Sequence, residues 1–405
     1  MTDQRPLKVL HITRSEELGI RAFLAGLLAN MDRNRFQLKV AGPMKGPLLE
    51  DLDRLNVPIV FCPVERDIKP LHDIQNFFQI CALIRRERPD VLHLHGAKAG
   101  FLGRIAGWLN RVPAVVYTPN NDYLDEPNSR LRNWTLSFLE RCTARLGGQI
   151  VSVTAEERSS WLRRNICRED GVVTIHDGFD FSRATTLVDR TDAKRALGIP
   201  DNYRVVGLIA RLVPQKAPHI FLEAAARVLR RNANIRFLLV GEGPLRPELE
   251  SLARVLGIAR QVQFMGFVGN LSQVYSAMDV SVLTSLYEGL PMVVLESMYL
   301  GIPIVVSRTY GVGEVVPESC GFVTAVKDPV ATSGAILKIL SNKDAAAEMA
   351  RRARTHVLAH FGAAQMADRY QRLYLRLITE SRAAKHSIKR DARESQVQPN
   401  VASND

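Results

Sequence analysis

The feature that most constrains this chain is an alternation. Short, nearly uninterrupted apolar runs at residues 8–13, 36–41, 59–62, 91–95, 114–118, 149–153 and 172–175 are separated, for the most part, by stretches with apolar residues at helical spacing. Neighbouring parallel strands need a long crossover, usually a helix. With helices over both faces, the strands read as continuous apolar runs rather than alternating ones. The pattern therefore predicts an α/β domain in which a parallel, Rossmann-like sheet is covered on both sides.

The same pattern starts again after a break. Between residues 182 and 200 the apolar rhythm lapses into Arg, Thr, Asp and Lys, and a second series of runs follows at 205–210, 235–240, 262–265, 280–283, 304–307 and 321–324. At 405 residues the chain exceeds the roughly 250–300 at which a single core stops growing. Two domains are expected: a first at 1–182, a linker at 183–200 and a second at 201–360. Apolar residues at helical spacing continue through 363–378, whereas 382–405 is rich in Lys, Arg, Ser, Gln and Asn and is expected to be disordered. Open parallel sheets bind ligands beyond the carboxyl ends of their strands, so two such domains face to face put the active site in the cleft between them.

Charge and cysteine usage narrow the setting. The net charge is +12, and Arg85, Arg86, Arg88, Arg141, Arg145, Arg163 and Arg164 gather in the first half. Such a surface attracts anions. No interleaved aromatic and glycine pattern of an RNA-binding sheet accompanies it, so an anionic membrane surface is the better partner than nucleic acid, with a solvated basic face as the alternative. No apolar run approaches the ~18 residues of a spanning helix, and the run at 9–12 is too short for the apolar region of a signal peptide. The five cysteines lie far apart without Cys-x-x-Cys, which suits a reducing cytoplasm and argues against structural zinc or disulfides. A cytoplasmic protein, peripheral at the inner face of the membrane, is the expectation.

Three motifs carry chemistry. Glu288-Gly289-Leu290-Pro291 is followed by Glu296, two carboxylates on either side of a helix start. Amides at a helix N-terminus receive phosphate oxygens, glycine permits close backbone approach, and carboxylates accept from sugar and ribose hydroxyls. Arg211 and Lys216 follow the first run of the second half, where two cations neutralise the charge that a departing diphosphate acquires, without a metal ion. Gly241-Glu242-Gly243-Pro244 is a glycine turn after the next run, where a nucleotide base could pack.

In this order the pieces resemble family 4 of the retaining GT-B glycosyltransferases, and the likeness spans nearly the whole chain. The resemblance implies two Rossmann-like domains facing across a cleft, with a C-terminal helix at 363–380 crossing back to the first. It implies a nucleotide-diphosphate sugar as donor, no cofactor or metal, and a hexose or N-acetylhexosamine passed with retention to an acceptor hydroxyl. The acceptor expected is a lipid-linked or cell-surface glycan precursor. By resemblance Arg211 and Lys216 bind the diphosphate, Glu288 contacts the donor sugar and Glu296 the ribose, with Gly241, Gly243, Pro244, Gly289, Leu290 and Pro291 shaping the donor site.

The first half carries acceptor recognition in this family, and the chain departs from the pattern there. A single glycine, Gly19, stands where a glycine pair is usual; Asn120 replaces a His; His176-Asp177-Gly178 stands for Pro-Asn-Gly. Asparagine carries no proton charge. A non-catalytic sugar-nucleotide-binding relative is therefore the alternative. His95, Lys98 and Asn120 are the candidate acceptor or sugar contacts. His93 and His95 share a strand face, but no third ligand at metal-site spacing accompanies them, so metal binding is not expected. For His93 a hydrogen-bonded buried histidine is the competing reading.

Overall fold

The computed structural model describes residues 5–13, 18–44, 46–62, 64, 69–119, 130–309 and 311–396. The first domain alternates β1 (Leu7–Thr13), α1 (Leu18–Ala29), β2 (Phe36–Gly42), α2 (Pro47–Arg54), β3 (Ile59–Phe61), α3 (Pro70–Glu87), β4 (Val91–His95), α4 (Ala97–Leu109), β5 (Ala114–Thr118), α5 (Arg130–Ala144), β6 (Gln149–Ser152), α6 (Ala155–Arg163) and β7 (Val172–Thr174). Its strands form one parallel sheet in the order β3-β2-β1-β4-β5-β6-β7. The order reverses at β1 and β4, which leaves a crevice at their carboxyl ends.

After α7 (Arg190–Ala196), the second domain runs β8 (Arg204–Ile209), α8 (Pro218–Leu229), β9 (Ile235–Val240), α9 (Arg246–Val255), β10 (Val262–Gly266), α10 (Ser272–Ala277), β11 (Val280–Leu283), α11 (Met292–Tyr299), β12 (Ile304–Ser307), α12 (Val312–Val315), β13 (Phe322–Thr324), α13 (Pro329–Ser341) and α14 (Lys343–His360). Its parallel sheet is ordered β10-β9-β8-β11-β12-β13, with the reversal between β8 and β11. This is the GT-B architecture, two Rossmann-like sheets each wrapped by helices.

The last helix, α15 (Ala363–Gln396), returns to the first domain. Met366, Tyr370, Leu373 and Tyr374 join the core that α1 and α2 build on one face of the first sheet, while α3, α4 and α6 cover the other. The helix also corrects an expectation, because it runs to Gln396 through most of the segment read as disordered. Its Lys, Arg, Ala and Glu residues are adequate helix formers, and a turn already held by packing only has to propagate, which is easier than nucleating. Residues 397–405 lie outside the described residues.

The segment read as a linker is also more structured than expected. Asp189 caps α7 by accepting from the N–H groups of Thr191 and Asp192, and Ala193 and Ile199 are buried with Val205, Leu238 and Val240 of the second domain. The crossing itself is a paired one. The N–H of Phe179 donates to the Phe361 carbonyl (2.7 Å), and the N–H of Ala363 donates back to the Phe179 carbonyl (3.0 Å). Both passages between domains thus run side by side.

Candidate active site

Lys216 and Glu288 are 72 positions apart in sequence, yet the Lys216 Nζ lies 2.5 Å from Glu288 Oε1. Strand adjacency explains the meeting, since β8 and β11 are neighbours and both residues sit on loops leaving their carboxyl ends. Those loops are joined by the backbone as well. The Leu286 N–H donates to the Gln215 carbonyl (2.8 Å), Gln215 Nε2 donates to the Tyr287 carbonyl (3.0 Å), and the Thr284 hydroxyl donates to the carbonyls of Lys216 and Ala217. Ala217 adopts a left-handed φ of 43° between the turn at Pro214–Lys216 and α8, local strain of the kind that surrounding contacts must hold in place.

Glu288 is buried, and its Oε1 also accepts from the Ser285 hydroxyl at 2.5 Å. The carboxylate is thereby fixed against a cation and a hydroxyl. Ser285, Thr284 and Gln215 were not singled out by sequence reasoning; only the position of Ser285, three residues before Glu288, hinted at it. Gly289, Leu290 and Pro291 are buried around the start of α11, and Pro291 is its N-cap residue, one position earlier than the first helical turn. No side chain caps this helix, so its leading amides are without a side-chain acceptor. Arg211 is exposed on the β8 loop.

The glycine turn has a structural reason of its own. Gly241 has φ 131°, and a Cβ there would stand 2.0 Å from the Ala210 carbonyl oxygen; a Cβ on Gly243 would stand 2.3 Å from the Leu212 carbonyl. The turn is packed directly on the backbone that carries Arg211, and Pro244 follows it exposed. Both glycines are needed for that close approach.

Glu296 faces the crossing segment. Its Oε1 accepts from the backbone N–H and the hydroxyl of Thr185 (3.1 and 2.6 Å), and Oε2 accepts from the Tyr275 hydroxyl (3.0 Å). Burial together with this carboxylate holds the Tyr275 phenol protonated, well above its usual range.

In the first domain the expectations fare unevenly. Gly19 lies in the first turn of α1, after β1. Lys98 pairs with Asp73 of α3 instead of standing free for a phosphate. Asn120 lies outside the described residues. His95, read as an acceptor contact, is fully buried, with its Nε2 3.1 Å from Nδ1 of His11. The β1–β4 register, which sets His11 opposite His93 and Thr13 opposite His95, turns it inward.

The same register supplies the third histidine that spacing within one segment could not reveal: ligand-type atoms of His11, His93 and His95 lie within 4.8 Å of one another. His93 has both ring nitrogens engaged, Nδ1 with the Tyr374 hydroxyl (2.6 Å) and Nε2 with the Thr118 hydroxyl (2.9 Å). It is the hydrogen-bonded buried histidine of the competing reading, tying α15 to the sheet. Burial, with the nearby Arg33 guanidinium, lowers His11 to about 3 and keeps it neutral.

Contacts at the carboxyl ends of both sheets bring the domains together. The Glu314 carboxylate on α12 accepts from the N–H groups of Ala155 and Glu156 (3.0 and 3.1 Å), which open α6, and from His176 Nε2 (2.8 Å). Glu156 answers by accepting from the Gly311 N–H at 3.0 Å. Burial alone would raise the Glu314 carboxyl, but His176 and the two amides outweigh it and hold it below its usual value. A carboxylate at a helix N-terminus meets the positive end of the dipole.

A two-domain chain whose sheets present loops, helix starts and a fixed cation–carboxylate pair to a common cleft has the build of a transferase acting on a nucleotide sugar. The chain belongs to the glycosyl transferases group 1 family: residues 189–356 match that family's model, and residues 19–178 match a glycosyl transferase 4-like domain. Among relatives, the UDP-Gal:alpha-D-GlcNAc-diphosphoundecaprenol alpha-1,3-galactosyltransferase of Escherichia coli is 26% identical over 358 residues, covering 86% of this chain and 91% of that one. D-inositol 3-phosphate glycosyltransferase 2 of Catenulispora acidiphila is 30% identical over 320 residues, 73% of each chain. In fold, HepE of Anabaena in complex with UDP and glucose superposes with a TM-score of 0.78 at 21% identity, over 91% of this chain and 99% of its own. The protein is thus a glycosyltransferase using a nucleotide sugar, and no helix among the described residues is long and apolar enough to cross a membrane.

Proposed function

We propose that this enzyme is a retaining hexosyl- or N-acetylhexosaminyltransferase whose acceptor is a lipid-linked precursor of a cell-surface glycan, and that it works as a peripheral protein on the cytoplasmic face of an anionic membrane. The observation that carries the donor half is the Lys216–Glu288–Ser285 cluster at the carboxyl ends of β8 and β11. With the diphosphate bound, Lys216 and Arg211 stabilise the negative charge that develops as the sugar–phosphate bond breaks, in a cleft where such charges act more strongly than in water. Neutralisation by these cations needs no metal. Glu288 orients the donor sugar, and the leaving phosphate oxygen takes the acceptor proton on the same face of the ring, so no protein nucleophile is required. The ribose diol belongs at Glu296, in exchange for the Thr185 hydroxyl. The E. coli relative, which takes UDP-Gal and a diphosphoundecaprenol-linked GlcNAc, supports donor and acceptor classes of this kind.

Turnover of a panel of UDP-, GDP- and ADP-sugars with membrane extract tests the reading. One donor should be consumed, and Lys216→Ala and Glu288→Ala should each lower kcat/KM by roughly 10²- to 10³-fold. Donors that bind without turning over with any acceptor would point instead to a binding protein.

A further inference from the structure

Helix α5 is amphipathic the wrong way round for a helix packed on a sheet. Ser137, Glu140 and Thr143 face inward and are buried, while Leu131, Trp134 and Phe138, at i, i+3 and i+7, are 74%, 61% and 47% exposed. The Trp134 and Phe138 rings stack on one another at 5.7 Å in the open. Glu140 is the only acid of α5, and it is spent internally on Arg104 of α4. The outward charge of this helix and its end is therefore basic, from the exposed Arg132 and Arg145, while the half-buried Arg141 donates to the Arg164 carbonyl.

Helix α3 repeats the arrangement: Leu71, Ile74 and Phe78 are exposed at the same spacing, and Arg85 and Arg86 occupy the last turn. Both helices pack on α4, so they lie on one face of the sheet. Each follows a parallel strand and runs back against it, which sets both apolar N-terminal halves at the carboxyl edge, beside the cleft, with Arg132 among them and Arg85, Arg86 and Arg145 farther down. The acids of α3 are paired, Asp73 with Lys98 and Glu87 with Lys39 and Arg86, so large apolar side chains at helical spacing stand in surroundings of basic balance and match an anionic bilayer surface, where aromatic and leucine side chains enter the headgroup boundary and arginines meet phosphates.

We infer that the outer face of α3 and α5 is the membrane-docking surface of this enzyme, seating the cleft edge of the first domain on anionic lipid. The inference rests on the peripheral, lipid-acceptor reading above and assigns it to particular residues. Docking there holds the cleft mouth against the bilayer, where a lipid-linked acceptor presents its headgroup sugar.

Flotation with phosphatidylcholine vesicles, with and without about 30 mol% phosphatidylglycerol, tests the assignment. The intact chain should float with the anionic vesicles. Trp134→Ser/Phe138→Ser and Leu71→Ser/Phe78→Ser should each bind at least about tenfold more weakly, with unchanged melting temperature and unchanged consumption of donor with a short water-soluble acceptor. In a Trp108→Phe background, brominated lipid should quench Trp134. Binding by the serine variants equal to that of the parent overturns the surface, as does a dimer in sedimentation that these substitutions dissociate, which would make a second copy the occupant. Because flotation needs no sugar, failure of the transferase reading would appear separately, as absence of donor turnover with vesicle binding intact.

Discussion

Asp177 stands where relatives of the resembled family usually carry Asn, and its surroundings give that difference a measurable sign. The side chain is buried, its Oδ1 has no hydrogen-bond partner among the described residues, and burial pushes the carboxyl up from 3.8 to about 7. Between those values the folded chain keeps a proton that the unfolded chain has released. Stability from this group is therefore full below about pH 4 and is lost as pH rises to about 7, at up to roughly 1.4 kcal/mol per pH unit. Asp177→Asn removes the titration, so its stability relative to the parent should improve from pH 5 to pH 7 and level off above that. Urea unfolding of both proteins across this range checks it, and parallel curves would rule the account out. The buried histidines have the opposite sign: neutral when folded, they make stability fall below about pH 6.5, but that effect is common to both chains and cancels in the difference.

At the scale of elements, the proposed donor site is a meeting of loops. The turn at Gly241 and Gly243 touches the backbone of the β8 loop, and that loop is bonded in turn to the loop before α11. Gly243→Ala should therefore act at a distance, pushing the Leu212 carbonyl and the segment carrying Arg211 and Lys216. A cost of about 1–3 kcal/mol in stability is expected, together with weaker binding of the nucleoside diphosphate by calorimetry. Binding equal to the parent would mean that the turn moves independently of the loop that carries Arg211 and Lys216. Helix α6 shows how local rules persist beside such long-range contacts. Thr154 caps it by accepting from the Glu157 N–H (3.0 Å), while the Glu157 carboxyl accepts from the Val153 N–H (2.7 Å). This capping arrangement is readable from four residues.

For the whole molecule, the two passages between the domains are paired at Phe179 and Gly362, and closure of the cleft would exclude water from a reactive donor. Across the cleft, Glu314 ties α12 to the start of α6 and to His176. Arg183, just after the crossing, is held by Asp51 (2.6 Å), which Arg21 also grips (2.6 Å). Glu314→Ala should remove one of these ties while leaving both cores intact. Small-angle scattering should show a larger radius of gyration, with a melting temperature close to that of the parent. An unchanged radius would mean that the remaining contacts alone set the spacing of the domains.

The strands, their parallel arrangement and the local motifs of the candidate site were legible in the sequence because each depends on near neighbours. A buried parallel strand needs consecutive apolar side chains, and a helix start after a strand needs glycine, proline and a carboxylate within a few positions. A helix over 363–378 was legible for the same reason, through apolar residues at helical spacing, whereas its return to the first domain was implied by the family resemblance alone. What only the tertiary structure decided is which groups face one another across strands and domains. Register put His11 beside His93 and His95, and all three are buried. Strand order brought Lys216 to the Glu288 carboxylate, and the packing of α3 on α4 gave Lys98 to Asp73. Whether α15 continued beyond its packed turns, and whether the apolar residues of α5 faced the core or the outside, likewise depended on neighbours far away in sequence. Periodicity states that a helix has an apolar face; only the packing of the other elements determines what that face meets.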